Sequence, residues 1–149
     1  MKDIRQRIVD LVRTGYCTPQ IARLARKLRE PSTTIHYNLR RLEEDGIVVG
    51  YRAVLGHKVA DEGFTAFVLI TLAPDEYGNP ERIGRDLIPH PEIESIDIIT
   101  GDWEMLVKVR TKDQEAYYGF VKRVLSRKGI LKLKTLTSLR ELKSEFLPS

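Results

Sequence analysis

Cysteine is almost missing from this chain: Cys17 is the only one in 149 residues, so no disulfide can close within it and no thiolate cluster can hold a metal. Histidine is nearly as scarce, and His36, His57 and His90 lie in three separate segments without the close pairing of a metal site. No metal and no cofactor are expected. Long apolar runs are lacking too. The longest, such as Phe67 to Ile70, fall far short of a membrane span, and MKDIRQRIVDLV is charged and amphipathic with no signal-peptide core. The expectation is a cytoplasmic protein without a membrane partner.

What is present is an ordinary globular composition, 42% hydrophobic and 31% charged, long enough for one large or two small domains. High charge with few glutamines also suits a heat-adapted protein. The net charge of +4 is unevenly placed. Residues 1–60 carry 12 Lys and Arg against 6 Asp and Glu, whereas residues 61–149 carry 13 against 15. A basic module joined to a near-neutral one suits a polyanion binder attached to something that does not bind polyanions.

The basic part reads as three short helices. Ile4, Ile8, Leu11 and Val12 give the first an apolar stripe, and Gly15 ends it. Thr18 is placed to cap the second and Pro19 to open it, with Ile21, Leu24, Ala25 and Leu28 on its buried side. Arg23, Arg26, Lys27 and Arg29 crowd its remaining surface as a candidate phosphate clamp, with Arg23, Arg26 and Lys27 in the candidate DNA-contacting set. After the turn at Pro31, Ser32 offers a cap hydroxyl to a third helix that ends at Gly46. Its apolar stripe is Ile35, Leu39 and Leu42, and Thr33, Tyr37, Arg40 and Arg41 fall roughly opposite. Hydroxyls, an aromatic ring and guanidinium groups on one face are what a major-groove helix needs. Ser32, Thr34 and His36 complete the candidate DNA-contacting set. The β-rich IVVGYRAV that follows is where a wing or a linking strand is expected. Such a small module calls for pairing with a copy of itself.

GHKVADEG, residues 56–63, reads as a linker between domains at 1–55 and 64–149. Beyond it, FTAFVLITLA is a strand; Asn79 and Pro80 open a helix with Ile83, Leu87 and Ile88 as apolar positions. IESIDIIT and EMLVKVRT are strands joined at Gly101-Asp102-Trp103. Asp113 caps a helix with Tyr117, Phe120, Val121, Val124 and Leu125 inward, and ILKLKTLTSLREL is a last strand. The order βαββαβ predicts a ferredoxin-like antiparallel sheet with both helices on one face, and therefore a second face that a partner must cover.

At this point the chain resembles the leucine-responsive regulator/asparagine regulator (Lrp/AsnC) family of transcription factors. The resemblance rests on RRLEEDGIVVGY, on HPEIESIDIITGDWEMLVKVRTKDQEAYYGF and on GILKLKTLTSLRELK, in order and at family-like spacing. It implies an α+β protein with an N-terminal winged helix-turn-helix and a C-terminal ferredoxin-like effector-sensing domain. It also implies double-stranded DNA as partner, homodimers that assemble into tetramers or octamers, and an amino-acid effector held between subunits. Carried onto this chain, the effector residues are Gly101, Asp102, Trp103 and Glu104 of the loop, and Thr135, Leu136, Thr137 and Ser138 of the last strand. The chain departs from the family pattern at Glu104, Leu133 and Asn38 and in the turn Glu30-Pro31-Ser32, so neither ligand preference nor operator is transferable.

Two other functions compete. An enzyme on the sheet would need a nucleophile and base, which the residues do not offer. A small-molecule sensor whose N-terminal helices bind protein or RNA remains the alternative.

Overall fold

In the computed structural model, which describes residues 1–55 and 63–142, the chain divides into two units, Met1–Val54 and Leu55–Ser149. The linker expected at 56–63 lies, apart from Gly63, outside the described residues.

In the C-terminal unit, strict alternation in β1 (Phe64–Leu72) decides where the core sits. Ala66, Val68, Ile70 and Leu72 are fully buried on one face. β3 (Met105–Thr111) pairs antiparallel beside it and adds Met105, Val107 and Val109 to the same face. β2 (Ile93–Ile98) flanks β3 and β4 (Ile130–Thr137) flanks β1, giving the order β2-β3-β1-β4. α4 (Pro80–Leu87) brings Ile83 and Leu87 to the core, and α5 (Gln114–Phe120) brings Tyr117 and Phe120. This is the expected ferredoxin-like βαββαβ arrangement.

Local signals explain most element ends. Pro80 takes the first position of α4, although the Asn79 side chain makes no cap bond. Asp113 accepts the Ala116 N–H at 2.8 Å and caps α5. Three expectations need correction. Ile88 is not in the core but 67% exposed, because α4 ends one residue earlier. α5 does not run on as one α-helix: Val121–Leu125 widens into a π turn, which still buries Val124 and Leu125. The last strand stops at Thr137, after which Ser138 gives its N–H to the Thr65 carbonyl and Leu139 is exposed.

In the N-terminal unit the helices are α1 (Arg5–Arg13), α2 (Ile21–Leu28) and α3 (Ser32–Glu44). α2 and α3 pack on each other around Ala25 and Ile35. Gly46, at φ +69°, ends α3 in the left-handed conformation expected of it.

Here too the sequence misplaces details. Thr18 and Pro19 do not open α2: Gln20 is its N-cap, still extended at φ −78° and ψ 99°, so the proline forms a rigid approach. Ser32 begins α3 but makes no cap hydrogen bond, since Pro31 occupies the cap position. Ile4, Ile8 and Leu11 of the α1 stripe are exposed, as is Leu28; Val9 and Val12 are half-buried instead. The expected wing is not a paired strand: residues 47–55 have no ladder partner among the described residues.

Candidate DNA-reading helix and effector loop

α3 is oriented by Ile35, buried, and Leu39, half-buried, so its opposite face is free. Ser32, Thr33, Thr34, His36, Tyr37, Arg40 and Arg41 are all exposed. Tyr37 and Arg41, one turn apart, act as a pair: Nη1 of Arg41 donates to the Tyr37 hydroxyl at 3.3 Å, and the guanidinium carbon lies 6.0 Å from the ring centroid. Only part of the guanidinium is used, and the remaining donors face solvent. Arg40 pairs with Glu44 at 3.3 Å, a bond so exposed that it contributes little and yields readily to a phosphate. Asn38 turns its amide back to the Thr34 carbonyl at 2.8 Å and is thereby occupied within the helix.

On α2, Arg23, Arg26 and Lys27 are exposed, and with Gln20 and Leu24 they line a shallow depression of about 660 Å³. No carboxylate pairs with them among the described residues. Sequence reasoning missed Tyr51, whose hydroxyl donates to Glu43 Oε1 at 2.6 Å and ties the chain leaving α3 back onto that helix. The Glu43 carboxylate keeps this phenol protonated, its pKa pushed up to about 12.

The candidate effector loop lies at one end of the sheet. Gly101 makes the turn at φ +110°, Asp102 is exposed and has no side-chain partner among the described residues, and Trp103 is half-buried. The Lys132 ammonium, at the start of β4, lies 5.9 Å from the Trp103 ring. Glu104 is different in kind. Its N–H bonds the Ile70 carbonyl at 3.0 Å, and its carboxylate accepts the Leu72 N–H at 2.8 Å, so it extends the β1–β3 ladder.

The β4 residues lie elsewhere. Thr135 stands opposite Val68, Leu136 opposite Phe67 and Thr137 opposite Ala66, while Ser138 reaches Thr65. Glu104 and Ser138 therefore meet β1 at residues 70 and 65, about 16 Å apart along the strand. Thr135, opposite Val68, is nearer the loop, two residues or roughly 7 Å from Ile70 along the strand. Thr135 shares a 2.6 Å hydrogen bond with Tyr117, whose phenol burial holds above its usual pKa although the Thr135 bond works the other way. Sequence gave no sign of that pairing.

The sheet face away from the helices holds a charged cluster. Lys108 bonds Glu94 at 3.1 Å and Glu141 at 3.2 Å, and Arg110 bonds Glu94 at 2.5 Å. Burial works to raise the Glu94 pKa, but the hydrogen bonds and charges of Arg110 and Lys108 outweigh it and leave the carboxyl below its ordinary value. Between α4 and β2 runs an open groove of about 450 Å³ with Ile88, Ile96 and Ile98 on its walls.

Residues 65–148 match the model of the Lrp/AsnC ligand-binding domain. The chain is 32% identical over 126 residues to an uncharacterised HTH-type transcriptional regulator of Pyrococcus furiosus, covering 84% of each. It is 32% identical over 109 residues to the leucine-responsive regulatory protein of Salmonella typhimurium, covering 70% of this chain and 65% of that one. Among solved structures it resembles a transcriptional regulator of Neisseria meningitidis in complex with L-methionine. That match has a TM-score of 0.74 at 25% identity over 93% of this chain and 89% of the other.

Proposed function

Because the chain belongs to the Lrp/AsnC family of HTH-type transcriptional regulators, we propose that it reads duplex DNA through α3 as a dimer or higher homo-oligomer and responds to an amino-acid effector held between subunits. The family is one of transcriptional regulators rather than enzymes, bound to DNA and self-associating. The observation that carries the reading is the exposed Tyr37–Arg41 pair on the helix face opposite Ile35. A guanidinium held by one donor keeps the others in place for a guanine edge or a phosphate, with less ordering entropy to lose on binding. Arg40 supplies a second cation, Thr33 and His36 offer short polar contacts, and Arg23, Arg26 and Lys27 clamp the backbone.

Assembly follows from what one sheet leaves open. β2 and β4 are its two edge strands; Asp97 projects from the first, Lys132 and Lys134 from the second. An edge of one copy thus meets an oppositely charged edge of another. The effector reading is supported by the exposed Asp102 carboxylate, suited to an ammonium, and by the hydroxyls of Thr135, Thr137 and Ser138, suited to a carboxylate.

Footprinting on duplex DNA spanning the protein's own upstream region tests the DNA reading. A discrete protected site with no binding to structured RNA is expected; protection of the RNA alone would select the alternative partner. Thermal melting with each of the twenty amino acids tests the effector, since a ligand that prefers the native form raises the midpoint. No shift and no change in assembly with any of them would contradict it.

A further inference from the structure

α5 sends one polar atom past the core to the sheet edge. The Tyr117 side chain is buried, its ring packed on Phe64 with centroids 5.2 Å apart, and its hydroxyl ends 2.6 Å from Oγ1 of Thr135 on β4. Thr135 stands opposite Val68, a residue of the core face, so its side chain lies on the side of the sheet that the helices cover. β4 is nevertheless an edge strand, and Thr135 is exposed. Its hydroxyl is thus held from the protein side and open from the solvent side.

Which oxygen donates decides what Thr135 can offer. An aliphatic hydroxyl has one hydrogen and two lone pairs. Donated to Tyr117, that hydrogen would be spent within the fold, and a carboxylate approaching Thr135 would meet only lone pairs. Donated by Tyr117, the bond fills one lone pair of Thr135 and leaves its hydrogen for an anion. The second arrangement is favoured on two counts. A phenol is a stronger acid than an alcohol and so the better donor, and burial keeps this one protonated by raising its pKa. A hydroxyl that accepts one bond is also polarised to donate the next more strongly.

We propose that Tyr117 is a positioning residue for the effector: it donates its hydrogen to Thr135 and so makes the Thr135 hydroxyl an oriented donor to the effector's carboxylate. The inference rests on the effector reading above. It also ties that site to the helix layer, because the ring that holds Thr135 belongs to α5 and packs in the core.

The test uses the full chain and, of the twenty amino acids, the one that raises the melting midpoint most, titrated calorimetrically at neutral pH. Tyr117→Phe keeps the ring against Phe64 and removes only the hydroxyl. It should bind that amino acid roughly three- to tenfold more weakly, the worth of one hydrogen bond. Were Thr135 the donor, the same change would free its hydrogen and leave binding equal or tighter, which overturns the proposal. Thr135→Val, close in shape but without the hydroxyl, should weaken binding at least as much, and Tyr117→Phe added to it should cost nothing further. A Tyr117→Phe effect that persists in full on the Thr135→Val background means that the ring acts through the core instead, and also overturns the proposal. Thr135→Ser, which keeps the hydroxyl, should keep the dependence on Tyr117. If Thr135→Val and Tyr117→Phe both bind like the wild type, this inference alone falls. If no amino acid shifts the midpoint of the wild type, the effector reading falls with it.

Discussion

The carboxylate of Glu104 accepts the backbone N–H of Leu72 at 2.8 Å, joining residues 32 positions apart. The bond lies just past the last β1–β3 ladder pair, Ile70 with Met105, where β1 would otherwise present an unmatched donor. It fixes the exit of the effector loop to the central strand. Of the two loop carboxylates, Glu104 thus has a backbone partner, whereas the Asp102 side chain has none among the described residues.

Glu104→Ala should therefore lower stability by about 1–2 kcal/mol, the cost of stranding a partly buried N–H, and Glu104→Gln, which keeps an acceptor oxygen, by clearly less. Urea denaturation measures both. For any amino acid that raises the melting midpoint, Glu104→Gln should keep the response and Asp102→Ala should lose it. The reverse pattern would return Glu104 to the ligand.

Gly129 carries φ +96°, and a Cβ built there would stand 2.8 Å from Cδ1 of the fully buried Ile83. Gly101, at φ +110°, has nothing within 4 Å of the same position. Alanine strains both backbones, but only at 129 does it also overpack the core. Gly129→Ala should cost about 1–3 kcal/mol more than Gly101→Ala. Equal costs would show that Ile83 moves aside freely.

Glu94 links Lys108 and Arg110 on the outer sheet face, and its carboxyl is held below the ordinary 4.5. A carboxyl depressed in the folded state adds stability above its unfolded pKa and loses it as pH falls through the folded value. Stability should fall with acidification below about pH 4.5, and Glu94→Gln should flatten that fall while lowering stability at neutral pH. Parallel curves for the two proteins between pH 5 and pH 2, measured by urea denaturation, would remove Glu94 from the acid response.

Much of the fold was legible because its signals are local. Alternation in FTAFVLITL marked the core face of β1, Asp113 and Pro80 marked helix starts, and Gly46 marked the end of α3. Distance in sequence hid the rest. Nothing local pairs Glu104 with Leu72, Tyr117 with Thr135 or Tyr51 with Glu43. The α1 stripe misled in another way: Ile4, Ile8 and Leu11 show the right spacing but are exposed, with Val9 and Val12 half-buried.

The central claim is that α3 reads DNA, and Arg41 is where it is most exposed to test. Arg41 lies on the surface and among the described residues its side chain pairs only with Tyr37, so its loss should leave urea stability almost unchanged. On a duplex carrying the footprinted site, Arg41→Ala should weaken binding by about 1–3 kcal/mol, roughly five- to 150-fold. An Arg41→Ala protein that folds normally and binds that duplex as tightly as the wild type would contradict the account.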